Sequence, residues 1–396
     1  MRTLDDIDPT GKTVLVRIDL NVPMQDGEVA DATRIDRIVP TLVELLGMDA
    51  RVVAMSHFGR PKGKRQKAMS LEPLCAPLGA AMGGVEVVFA SDCIGPSARA
   101  AVDALEPGAV LLLENLRFHP GEEANEPDFA EQLASLADLY VGDAFSAAHR
   151  AHASVVGVAE RLPSAAGRLM QAEIEALTKV LEKPIPPVVA VIGGAKVSTK
   201  IDLLDNLIGK VDAMILGGGM ANTFLFAQGT PVGKSLCEAD MADTARKIMA
   251  RAKSMFCDIL LPVDAQIAKE LTLEAKAGET PIELVPEDAM ILDIGPATIE
   301  MFCDRIGESG TVLWNGPLGA FELPPFDVGT NEVAKVVGEL SKDGLVMSVA
   351  GGGDTIAALA HAGVLDQISY VSTAGGAFLE WLEGKVLPGV EVLQKD

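Results

Sequence analysis

The sequence predicts an α/β protein built of two doubly wound parallel-sheet domains joined by a helical hinge. Three observations predict it. Short apolar, β-branched runs alternate with helix-length stretches, the pattern of parallel strands covered on both faces. At 396 residues the chain is long for one core. A proline-bounded amphipathic stretch near the middle separates two sets of strands.

The first set of runs is 13–18, 51–55, 85–89, 110–113 and 140–141. The second set is 188–192, 213–216, 259–263, 290–294, 312–314, 345–349 and 370–371. Between Pro163 and Pro184 lies SAAGRLMQAEIEALTKVLEK, whose Leu169, Ile174, Leu177, Val180 and Leu181 fall on one helical face. It reads as an interdomain helix; a plain surface helix is the simpler alternative.

Composition narrows the function. Hydrophobic residues make up 48% and glycines number 39, which suits an α/β enzyme with many strand-to-helix turns. The net charge of −23 disfavours nonspecific binding to nucleic acid or to an anionic membrane. The five cysteines include no CxxC pair, so reduced thiols and a cytoplasmic setting are expected. Residues 1–12 show no apolar signal core, and no run is long enough to span a membrane.

Ligands of open α/β sheets bind beyond the carboxyl ends of the strands. In the first half those ends carry Asp19 and Asn21, His57 and Arg60, Arg117, and Arg150, with Arg34 close by. Guanidinium forks match carboxylate and phosphate oxygens. A single arginine is more simply a surface ion pair, but four in equivalent positions point to an anion pocket. Asp19 and Asn21 could orient ligand hydroxyls or serve the turn ahead of Pro23. His57 reads as an anion donor rather than a base, having no carboxylate partner visible in sequence. His149 and His152 lack a third metal ligand.

In the second half the strand ends carry glycine instead. Residues 188–200, VVAVIGGAKVSTK, read as a buried strand, a glycine break, and a helix opening near Val197. Lys196 and Lys200 would then share a helical face at a phosphate-binding N-terminus. Gly351-Gly352-Gly353-Asp354-Thr355 reads as a helix cap or as a phosphate cradle whose carboxylate holds Mg²⁺. The triple glycine favours the cradle, because a cap needs none. Gly375-Gly376 is a similar junction, with a tight turn as its alternative. One domain thus offers arginines to a small anion, and the other offers open backbone to a phosphate-bearing ligand.

Several known fingerprints fail. Residues 229–235 have three residues between the glycines where a P-loop has four. Residues 217–222 lack the last glycine of the dinucleotide motif, and neither the protein-kinase set nor the GxSxG elbow occurs. A dehydrogenase of similar architecture is thereby disfavoured.

The runs RIDLNVP (17–23), DATRI (31–35), SHFGRP (56–61), LENLRF (113–118), GDAF with AHRAHAS (142–154), GGAKVSTK (193–200), LGGGMANTF (216–224), WNGPLGAFE (314–322), GGGDT (351–355) and STAGGAFLEWLEGK (372–385) resemble phosphoglycerate kinases, in order and over nearly the whole chain. The resemblance implies two Rossmann-like domains with an N-terminal 3-phosphoglycerate domain at 1–167 and an interdomain helix and linker at 168–187. It places a nucleotide domain at 188–370 and a segment returning toward the N-terminal domain at 371–396. It implies reversible transfer of the acyl phosphate of 1,3-bisphosphoglycerate to ADP, with Mg²⁺, by a cytoplasmic monomer. The matching substrate positions are Asp19, Leu20, Asn21, Arg34, His57, Phe58, Gly59, Arg60, Arg117 and Arg150. The nucleotide positions are Lys200, Asn315, Pro317, Glu322, Gly352, Gly353, Asp354 and Thr355, with Asp354 on the metal and Glu322 at the ribose. Arg34, Lys196, Lys200, Gly375 and Gly376 are the expected catalytic group. Ser146-Ala147, Ala195 and Ala297 depart from the usual pattern without replacing a residue assigned to chemistry.

The acceptor in the ATP-consuming direction is a carboxylate, already ionised at neutral pH, so no general base is required. The expected catalysis is positioning plus charge neutralisation, with closure of the domains bringing the substrates together. A non-catalytic nucleotide-binding paralogue is the alternative reading.

Overall fold

A computed structural model describes residues 1–394. The chain forms two compact units. One comprises Met1–Ile174 together with the C-terminal stretch from Val386, and the other comprises Glu175–Lys385.

The first unit is built on a six-stranded, all-parallel sheet in the order Val87–Ala90, Val110–Leu113, Arg51–Met55, Thr13–Arg17, Leu139–Gly142, Ser164–Ala166. The central strands are buried along their whole length, as continuous apolar runs require. Side chains such as Val14, Val16, Val52, Leu112 and Val141 pack against Ile35, Ile38, Leu42 and Leu45 of the helix Thr33–Gly47. The chain enters at the centre of the sheet, builds one side, then returns to build the other. The direction reverses between Thr13–Arg17 and Leu139–Gly142, a topological switch point.

The second unit repeats the plan. Its six parallel strands run in the order Asp258–Leu260, Ala213–Leu216, Val188–Ile192, Thr311–Asn315, Met347–Gly351, Tyr370–Ser372. The switch point falls between Val188–Ile192 and Thr311–Asn315, where Ile192 pairs with Asn315. Val189, Val191, Phe302, Val312, Trp314 and Val333 lie in its core.

Three sequence expectations are corrected. The run 290–294 is a strand, Met290–Ile294, but it pairs antiparallel in a separate sheet with Asp264–Ala268 and Gly278–Pro281. An apolar run does not itself disclose the direction of its partner. The stretch 164–183 is not all helix: Ser164–Ala166 first adds a sheet-edge strand, and the helix is Arg168–Leu181. Finally, Tyr370–Ser372 and the helix Gly376–Leu382 belong to the second unit, so the segment that joins the first unit starts at Val386, not at 371.

Candidate active site

At the switch point of the first sheet, strand ends present charge. The strand Thr13–Arg17 leads into Asp19, which is 4% exposed. Its carboxylate accepts from the Asn21 backbone N–H at 2.9 Å and the Ser146 hydroxyl at 2.5 Å, and pairs with Arg34 at 3.2 Å. Burial opposes its charge, but Arg34 and these hydrogen bonds hold the carboxyl below the usual range. Ser146, one of the departures from the family pattern, therefore takes part in the site.

Arg34 enters from the first turn of Thr33–Gly47 and also donates to the Asn21 carbonyl at 2.7 Å. The Asn21 side-chain oxygen accepts from the Gly59 N–H at 2.9 Å, and the Leu20 N–H donates to the Ser56 hydroxyl at 2.9 Å. Asn115 ties in the next loop, accepting from the N–H groups of Phe58 at 3.2 Å and Arg117 at 3.0 Å. Arg117 donates to the Gly59 carbonyl at 2.8 Å, and its buried Nε has no hydrogen-bond partner. Arg150 donates to His149 at 3.0 Å. Arg60 lies exposed at the end of its loop.

The charges act on one another. Burial, then Arg17, Arg117 and Arg150 push His57 well below its ordinary value, against the opposing pull of Asp19. His152 is lowered to about 4 by burial and by Arg117, Arg17 and Arg150. The structure thus brings Arg117, Arg150, His57 and Asp19 into one electrostatic cluster. It adds Arg17, Ser154 and Glu122, which sequence reasoning passed over. Arg17 stood in the quoted run 17–23 but read only as the end of a strand.

The second unit offers glycine and a half-buried lysine, Lys200. At its switch point Gly193 donates to the Asn315 carbonyl at 3.0 Å. A Cβ on Gly193 would sit 1.8 Å from the Pro317 carbonyl oxygen, so only glycine permits this close approach. The expected helix start near Val197 is not found. Residues 197–199 form a turn, with Lys200 N–H bonded to the Val197 carbonyl at 2.8 Å, and the helix is Ile201–Leu207. Lys196 is exposed and Lys200 occupies the N-cap, so the two lysines do not share a helical face. Ser198 and Thr199, residue types that favour a helix start, lie between them and are the sequence signal for the later start.

Lys200 turns its ammonium inward. Nζ donates to the carbonyls of Gly193 at 2.6 Å and Asn315 at 3.0 Å and to the Asn315 side-chain oxygen at 2.6 Å. Burial lowers its pKa to about 8, with Asp354 pulling it back up. Asn315 in turn donates to the Gly351 carbonyl at 2.7 Å, and Gly316 N–H donates to the Thr355 hydroxyl at 2.7 Å. Gly352, at φ 101°, caps the helix Gly353–His361 in a left-handed conformation that suits glycine. Beside this corner lies a cavity of about 330 Å³, lined among others by Gly194, Gly219, Leu292, Pro317, Glu322 and Asp354. Asp293, also missed in the sequence, forms part of its wall, and burial raises its carboxyl to about 8. Gly375, at φ 55°, caps the seven-residue helix that begins at Gly376.

Two doubly wound units, one ending its strands in guanidinium and imidazole groups and the other in glycine around a half-buried, inward-turned lysine, define a two-substrate phosphotransferase architecture. The family model of phosphoglycerate kinase matches residues 4–385. The chain is 62% identical to a phosphoglycerate kinase of Rhodospirillum centenum over 392 residues, covering 99% of each chain. It is 59% identical to one of Methylorubrum extorquens, with 99% of this chain and 98% of the relative covered. Its fold matches the solved structure of phosphoglycerate kinase from Coxiella burnetii with a TM-score of 0.91, 43% identity and 99% and 98% coverage. The enzyme from Pyrococcus horikoshii matches at TM-score 0.83 and 31% identity, with 100% and 98% coverage. The chain belongs to the phosphoglycerate kinase family. The expected non-catalytic alternative finds no support in these matches.

Proposed function

We propose that this chain carries out the reversible transfer of the acyl phosphate of 1,3-bisphosphoglycerate to ADP, giving 3-phosphoglycerate and ATP, and that its two switch points divide the work. The observation that carries the reading is the opposite chemistry of those points. One gathers Arg34, Arg117, Arg150 and His57 around Asp19 and Asn21, and the other sets Lys200 and Asn315 beside a glycine-walled cavity.

In this reading the first unit holds the three-carbon acid. Asp19 and Asn21 orient its hydroxyl, while His57, Arg60, Arg117 and Arg150, with the loop backbone of Leu20, Phe58 and Gly59, hold its anionic ends. The second unit holds the nucleotide in the cavity, with Pro317 on its wall and Glu322 at the ribose. Gly352, Gly353 and Thr355 shape the phosphate end. Asp354 is an exposed carboxylate on the first turn of Gly353–His361, lining the cavity, and such a hard oxygen donor suits a Mg²⁺ carried by nucleotide phosphates. Mg²⁺ would supply charge neutralisation on those phosphates.

The chemical problem is electrostatic, because a carboxylate and a phosphoryl group repel each other. Arg34, Lys196 and Lys200 neutralise the transferring group, and the backbone at Gly375 and Gly376 offers it N–H donors. Lys200 has only three protons, and all three are engaged by Gly193 and Asn315. It must release at least one of those acceptors to grip a phosphate, which makes Asn315 its resting partner. We also place the enzyme in the cytoplasm as a monomer, a setting in keeping with five free thiols.

The test is a coupled assay with 3-phosphoglycerate and Mg-ATP, read as NADH oxidation by glyceraldehyde-phosphate dehydrogenase. Turnover that needs Mg²⁺ is expected. Folded protein that binds Mg-ATP without turnover would overturn the reading.

A further inference from the structure

We propose that a buried chain of groups, Glu122–Ser154–Arg17–His57, fixes His57 as the neutral tautomer protonated at Nε2, and that Arg17, Ser154 and Glu122 are its positioning residues. The functional consequence rests on the reading of His57 as a contact of the phosphoglycerate.

Each direction in the chain is forced by donor chemistry. Arg17 is the last residue of the strand Thr13–Arg17 and is 1% exposed. A guanidinium has N–H donors and no acceptor, and stays charged in proteins. Its Nη2 lies 3.0 Å from Nδ1 of His57. Arg17 must therefore donate, and Nδ1 must offer its lone pair, so the single ring proton is left on Nε2. A doubly protonated ring would set N–H against N–H at this contact. The charged groups facing His57 are Arg17, Arg117, Arg150 and Asp19, and burial with the three arginines outweighs the carboxylate in disfavouring the imidazolium.

Arg17 is itself held. Its Nη1 donates to the Ile18 carbonyl, and its Nε donates to the Ser154 hydroxyl at 2.9 Å. Having accepted from Arg17, that hydroxyl sends its own proton to Glu122 Oε1 at 2.6 Å. The Ser154 backbone N–H donates to Glu122 Oε2 at 2.9 Å, so both carboxylate oxygens are engaged. Glu122 and Ser154 are both 0% exposed; burial raises the Glu122 carboxyl above its ordinary value, and Arg17 and the Ser154 hydrogen bonds offset part of that rise. Glu122 is thus the counter-charge that lets an arginine sit in the sheet core, and a lone buried charge of either sign would be costly. The outcome at the end of the chain is a ring that donates through Nε2. It can bind an anionic oxygen, and it cannot act there as a base.

The chain has only five histidines, so selective ¹⁵N-histidine labelling of the full protein gives a resolvable spectrum, with His57 assigned by its loss in His57→Gln. The expected wild-type spectrum shows His57 protonated at Nε2 alone and unchanged from pH 6 to pH 8. In the double variant Arg17→Met with Glu122→Gln, which leaves no lone buried charge, the single tautomer is lost. KM for 3-phosphoglycerate then rises by about tenfold or more, the loss of one hydrogen bond to a charged group, with kcat less affected. Arg17→Lys, which keeps a charged donor, restores the Nε2–H form. A wild-type ring protonated at Nδ1, or an imidazolium at neutral pH, overturns the proposal, as does a double variant whose tautomer is unchanged. The wild-type spectrum alone decides if the variant fails to fold. Adding 3-phosphoglycerate separates the two claims. A fixed Nε2–H tautomer that ignores the ligand removes His57 from the substrate site and leaves the buried chain standing. A ligand-sensitive ring with the other tautomer does the reverse.

Discussion

Lys200 makes the nucleotide step sensitive to pH in a range where lysines ordinarily do not titrate. Burial lowers its pKa from 10.5 to about 8, and Asp354 offsets only part of that. In the free enzyme its charged fraction then falls from about nine-tenths at pH 7 to about one-tenth at pH 9. If only the ammonium form captures the nucleotide phosphates, kcat/KM for nucleotide loses about tenfold per pH unit above 8. Bound phosphate stabilises the ammonium, so the break in kcat, which reports the loaded enzyme, lies at higher pH. Unfolding by this group is not a rival cause. Between about 8 and 10.5 the unfolded chain binds the proton that the folded one has released, so this residue makes stability rise with pH over the window where activity falls. The assay is the coupled turnover from pH 6.5 to pH 10, in buffers of constant ionic strength. Lys200→Arg is the control, since a guanidinium stays charged throughout and the alkaline limb must disappear whatever its overall rate. A wild-type kcat/KM that is level to pH 9.5, or a break near 8 that survives in Lys200→Arg, would refute the reasoning.

Three further outcomes are expected. Arg34→Ala and Lys196→Ala should each lower kcat on the order of 10²–10³-fold, and near-wild-type kcat in either removes that residue from the catalytic group. Gly193→Ala, whose Cβ would meet the Pro317 carbonyl at 1.8 Å, should destabilise the second unit by about 1–3 kcal/mol and weaken nucleotide binding, read by denaturant midpoint and titration. Asp143 is buried and raised to about 7 from 3.8, so the stability its neutral carboxyl contributes is whole below pH 3.8 and is lost as pH rises through 7; Asp143→Asn should remove that decline from the denaturant midpoint between pH 5 and pH 8.

What the sequence disclosed, and what it withheld, divides along physical lines. Continuous apolar runs such as 110–113 and 188–192 disclosed the parallel strands, because a strand covered on both faces has no polar face to alternate with. Glycines beyond the second set of strands disclosed close backbone approach, which Gly193 against Pro317 realises. The antiparallel sheet containing Asp264–Ala268 was hidden, since its partially exposed strands carry no strong period and Met290–Ile294 looks like any buried run.

The site was legible at the level of loops and illegible at the level of protons. Sequence placed Lys196 and Lys200 on one helical turn by spacing, but the turn at 197–199 delays the helix and sends one ammonium inward and the other to solvent. No periodic pattern encodes that difference, because it depends on three acceptors supplied by Gly193 and by Asn315, more than a hundred residues away. Arg17 was overlooked for the converse reason. Charged residues are almost never fully buried unless paired, and its relay to Glu122 runs through Ser154, 137 residues on in the chain. Strand-end position told which residues could meet an anion. Which of them carries the charge, which donates the hydrogen bond and which only holds another in place is set by long-range pairs that appear once the sheet has closed.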